Sequence, residues 1–176
     1  MFLRRYYMTL VIYFRVFLAV IMISSGILKL FSLKSFKVTV SKLIQSRKLI
    51  SFGTYLIILL ELLCGILLFL DNLSSYGVYI SFLLISSYLW AVWRATALKS
   101  KITCNCFGDW VPEELGKSTL YRIFALTILS IVLLFSTASL NLVDPYEVLL
   151  SVLLSVSFIC LYAVSNSFLK FNKISK

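Results

Sequence analysis

"FGTYLIILLELLCGILLFL", residues 52–70, contains a single charge, Glu61. A helix needs about 20 mostly apolar residues to cross a bilayer core. A carboxyl halfway along such a helix is costly in lipid, so it faces a bundle interior or a wet cavity. Gly65 lies one helical turn from Glu61 on the same face, where a missing side chain lets another helix come close. The stretch therefore reads as one span of a helical bundle, with Glu61 either paired to a basic residue or held for chemistry.

The rest of the chain agrees with that reading. Of its 176 residues 61% are hydrophobic and 14% charged, where a soluble domain carries about a quarter charged. Three further segments are apolar without interruption: Asn72–Trp93, Ile123–Val143 and Val148–Leu169. A fifth, residues 16–33, carries Lys29 near its end and has Arg15 just before its start. Arg15 and the lack of an A-x-A-like site argue against a cleaved signal peptide. Six Gly and two Pro leave no room for a flexible linker, so residues 1–176 read as a single integral membrane domain. Tyr88, Trp90, Trp93, Trp110 and Tyr121 stand where an interfacial aromatic belt would place them.

Charge sets the expected orientation. The 29–51 connection, the 94–122 loop and the C-terminal tail carry fourteen basic residues together, against Arg4 and Arg5 on the other side. Positive-inside bias puts the loop and the C-terminus in the cytoplasm of a multi-pass plasma-membrane protein. The net charge of +10 is read as contact with anionic lipid rather than nucleic acid.

The chain has no His, which removes imidazole acid–base work and His-ligated haem, zinc or copper. It has four Cys. Cys64 and Cys160 read first as small buried hydrophobes. Cys104 and Cys106 stand one residue apart in a polar loop. A disulfide across C-x-C closes a small strained ring, and strain makes the bond easier to reduce. Lys99, Lys101 and Lys117 nearby favour the thiolate, the form that attacks disulfides. Two close cysteines are too few for a structural zinc site, so no metal is expected. Gly108 permits a turn after the pair, Pro112-Glu113-Glu114 reads as the first turn of a short interfacial helix, and Ser118 as the N-cap of the next span.

Cys104-Asn105-Cys106-Phe107-Gly108 is followed by Gly116-Lys117-Ser118-Thr119-Leu120-Tyr121-Arg122, ahead of an apolar span. That combination resembles the MauE family, the redox-associated relatives of DoxX. Ser25-Gly26-Ile27-Leu28-Lys29-Leu30 resembles the family's G-x-x-K-L, and Glu61 with Gly65 its E-x-x-x-G. The resemblance spans about 12–140. It implies an all-α membrane protein, a four-helix DoxX-like transmembrane bundle, here with a fifth C-terminal span at about 148–164. It also implies thiol–disulfide handling beside a thioredoxin-like protein, for a client with disulfides, on the periplasmic side. That side conflicts with the charge count.

In this reading Cys104 and Cys106 cycle between dithiol and disulfide, and Cys160 is a resolving candidate. Glu61, Lys29 and Arg122 either hold the bundle, with Lys29 and Arg122 snorkelling, or assist proton and quinone handling. No other cofactor is expected. A second reading is a non-catalytic assembly, export or immunity subunit with an inert C-x-C. A third is metal or solute passage, disfavoured by the absence of Met-rich or His-rich tracts.

Overall fold

The computed structural model describes residues 2–44, 46–97, 103–104, 113–114, 117–136 and 144–174. Helix α1 runs Phe2–Phe31, α2 Leu33–Leu43, α3 Arg47–Phe69, α4 Ser74–Ala97, α5 Lys117–Leu134 and α6 Pro145–Ile174. A single 3-10 turn, Asp71–Leu73, links α3 to α4. Thr9–Phe31, Arg47–Phe69 and Asp71–Ala97 are long and apolar enough to cross a membrane, and Thr119–Leu134 and Pro145–Leu161 are shorter apolar helices. The chain is an all-α membrane protein, relieved among the described residues by one short strand pair.

Helices α1, α3, α4 and α5 close into a four-helix ring, because each packs against the next and α5 returns to α1. Helix α6 lies outside that ring and packs mainly on α1, where Val148, Val152 and Ile159 meet the α1 residues Ile12, Val16 and Val20. The ring's core gathers Leu18, Met22, Cys64, Leu68, Leu84 and Leu133. In a bilayer the apolar outer faces meet lipid, so packing rather than apolarity selects the interior.

Helices α1 and α3 approach closely at Gly65. A Cβ placed on Gly65 would collide with the side chain of Ile23 and come within 3.0 Å of the Ala19 carbonyl oxygen. A side chain there would push the two helices apart. Cys64, beside it, is buried and its Sγ donates to the Gly77 carbonyl at 3.2 Å, so it packs as the small hydrophobe the sequence suggests.

Four expectations are revised. Arg15 does not bound the first span. It sits within α1, only 4% exposed, because its Nε donates to the Leu68 carbonyl and its guanidinium pairs with Asp71 at 2.8 Å. The 29–51 connection holds α2, whose Phe36, Thr39, Val40 and Leu43 turn inward while Lys34, Lys37 and Lys42 face out. The spacing of three and four between those inward residues is helical, and the basic outer face suits a bilayer surface. Glu113–Glu114 do not begin a helix but pair antiparallel with Thr103–Cys104, Cys104 opposite Glu113. Helix α5 starts at Lys117, so Ser118 lies in its first turn rather than capping it, and Arg122 lies within the helix.

Candidate functional site

Helices α1, α3 and α4 bring Lys29, Glu61 and Tyr88 to a common point inside the ring. Lys29 and Glu61 are both 1% exposed and form a salt bridge. Tyr88 donates its hydroxyl to the same carboxylate oxygen, Glu61 Oε1. Ser25, one turn before Lys29 on α1, donates to that oxygen as well, at 3.1 Å. Lys29 Nζ donates to the Tyr88 hydroxyl at 3.2 Å and lies 5.2 Å and 5.0 Å from the ring centroids of Phe36 and Tyr88. The Lys29 amine is thus held in the interior by a carboxylate, a hydroxyl and two ring faces.

This corrects the snorkelling reading of Lys29. A lone carboxyl at mid-span would be prohibitive, and the ammonium turned inward offsets it. Tyr88 is likewise no belt residue, since its hydroxyl points to Glu61. Trp90, Trp93 and Tyr121 do face outward, as a belt requires. The tight α1–α3 approach at Gly65 lies one turn from Glu61, and it brings Lys29 within reach of the carboxylate.

The cluster forms one wall of a cavity of about 480 Å³. Helix α2 contributes Phe36, Val40 and Leu43 to that cavity, and α5 contributes Thr119, Arg122 and Leu126. Trp90, Ala125 and Phe158 line it and are also exposed on the outer surface, so it reaches the lipid-facing side of the bundle. Two of its buried polar atoms have no hydrogen-bond partner among the described residues: Glu61 Oε2 and Thr119 Oγ1. The arrangement is apolar over most of its wall and carries a few donors and acceptors. That is the usual make-up of a small-molecule site.

The remaining candidates lie apart from this cluster. Cys160 is a free thiol on the exposed face of α6. Cys106 and Gly108 lie outside the described residues, and of Cys104 the backbone alone is described. That backbone belongs to a strand that lies against α2, the helix whose inner face walls the cavity. Ser25, Tyr88 and Thr119 join the site without being singled out by the sequence. Ser25 and Lys29 stand four apart and share a helix face, a signal that was available, whereas Tyr88 is brought in only by the α3–α4 register.

Neither the curated proteins nor the solved structures contain a significant match to this chain. The family profile described as "Methylamine utilisation protein MauE" matches residues 7–136, which takes in the four-helix ring, the cavity wall of α2 and the C-x-C segment, and stops short of α6. With well over half of its length matched, the chain belongs to the MauE family.

Proposed function

We infer that the protein is a thiol–disulfide component of the plasma membrane, in which Cys104 and Cys106 cycle between dithiol and disulfide. They exchange electrons with a thioredoxin-like protein and, through it, with a client that carries disulfides. One thiolate attacks, a mixed disulfide forms, and the second thiolate releases it. The observation that supports the reading is the seat of the Cys104 strand against α2, a helix that also walls a cavity with a buried Lys29–Glu61–Tyr88 cluster. Lys34, Lys37 and Lys42 on the outer face of α2 add a positive field that favours thiolate.

Lys34, Lys37 and Lys42, with Arg47 and Lys48, support a cytoplasmic side for this end of the bundle by the positive-inside rule. Oxidation of a secreted client needs the opposite orientation, since cytosolic thiols are kept reduced. Alkylation of intact cells with a membrane-impermeant maleimide, before and after reduction, separates the two. Labelling of Cys104 and Cys106 only after reduction is the result expected of an outward oxidant. Labelling only after permeabilisation, with the thiols reduced throughout, abolishes the oxidative role. A Cys104→Ser, Cys106→Ser variant that still matures the client removes the redox role altogether.

A further inference from the structure

We propose that the cavity is the head-group site of a membrane-soluble quinone, which accepts the electrons of the dithiol. The acceptor role rests on the thiol–disulfide reading above, while the binding rests on the cavity alone. At about 480 Å³ the cavity falls within the range of small-molecule sites, about 300–1,000 Å³. Its mouth at Trp90, Ala125 and Phe158 opens onto the lipid-facing surface, so the ligand enters from the bilayer rather than from water.

The two unpartnered atoms select the ligand's chemistry. Thr119 Oγ1 is a hydroxyl that needs an acceptor, and Glu61 Oε2 is a carboxylate oxygen that needs a donor. A quinone offers carbonyl acceptors in its oxidised form and hydroxyl donors once reduced, so each state answers one of them. A lipid acyl chain answers neither. A phosphate head group would bring a second anion to the Glu61 carboxylate. The ring and tail of a prenylated quinone match the apolar wall, and the Lys29–Tyr88–Glu61 chain of hydrogen bonds supplies a proton route.

The exchange balances without a further reactant. Two S–H bonds break and one S–S bond forms, releasing two electrons and two protons. The two quinone carbonyls take both pairs and become hydroxyls. The strand of Cys104 lies against α2, the helix that also lines the cavity with Phe36, Val40 and Leu43.

Trp90 at the mouth supplies a readout. The detergent-purified full chain is titrated with decylubiquinone while tryptophan fluorescence is followed. Saturable quenching is expected, with Kd raised at least tenfold in Ala125→Phe, which fills the mouth, and about fivefold in Thr119→Val, the loss of one hydrogen bond. An unchanged melting midpoint in both variants excludes misfolding as the cause. Quenching that rises linearly and identically in wild type and Ala125→Phe overturns the site, as does a co-purifying phospholipid that Ala125→Phe expels and quinone does not displace. Cys104→Ser with Cys106→Ser keeps the affinity. Saturable binding with no oxidation of the wild-type dithiol sinks the acceptor role and leaves the site. A dithiol that exchanges with a thioredoxin-like protein in a chain without saturable quinone binding sinks the site and leaves the thiol–disulfide reading.

Discussion

Among the described residues, two ion pairs join a base on α1 to an acid from the α3 side, one toward each end. Arg15 pairs with Asp71 at the turn after α3 and spends its Nε on the Leu68 carbonyl, one of those left without a helical partner at the end of α3. Asp71 keeps 15% of its side chain exposed, so water at the membrane surface shares its solvation. Lys29 pairs with Glu61 where both are 1% exposed, and their wall opens on a cavity. The first pair closes a helix end. The second holds charge in the interior beside empty space, with one carboxylate oxygen left over. Arg15 also lines a cavity, of about 140 Å³ against about 480 Å³ beside Lys29 and Glu61, so the two pairs differ in the depth of their burial and in the size of the space they face.

The largest expected effect tests the interior pair. Lys29→Met leaves Glu61 buried without its counter-charge and lowers stability by about 3–5 kcal/mol, whereas Lys29→Met with Glu61→Leu recovers most of that loss. Denaturation midpoints in one detergent check both. Arg15→Met is expected to cost less, about 1–3 kcal/mol, since it orphans the Leu68 carbonyl while Asp71 turns to water. A loss equal to that of Lys29→Met would erase the distinction. Gly65→Ala forces α1 from α3 at Ala19 and Ile23 and costs about 1–3 kcal/mol. Because Gly65 is one turn from Glu61, that variant should also weaken quinone quenching, which Arg15→Met should not. Tyr88→Phe removes one of three donors to Glu61 Oε1 and is expected to cost about 0.5–1.5 kcal/mol. Cys160→Ser, on the exposed face of α6, should change stability by no more than about 0.5 kcal/mol and leave thiol exchange intact.

Much of this was legible in the chain. Glu61 inside an apolar run demands an interior partner, and Gly65 one turn on marks the close helix face. What periodicity cannot give is register between helices, so Tyr88 and Arg15 were read from their immediate neighbours as a belt residue and a span boundary. Their partners stand 27 and 56 residues away. Helix α2 was hidden for a different reason. Its exposed lysines look like a loop's, and its spacing of Phe36, Val40 and Leu43 shows only when the basic residues are set aside. Pro112-Glu113-Glu114 carries helix-start chemistry, yet Glu113 and Glu114 pair with Thr103 and Cys104, a non-local contact that local propensity does not report.

The most direct test compares the two pairs under one assay: quinone-driven oxidation of the Cys104–Cys106 dithiol, followed by mass after alkylation, in proteoliposomes. The account predicts that Lys29→Met with Glu61→Leu slows oxidation at least tenfold while the chain stays folded, and that Arg15→Met with Asp71→Leu leaves the rate unchanged. Equal rates in the two double variants would contradict it.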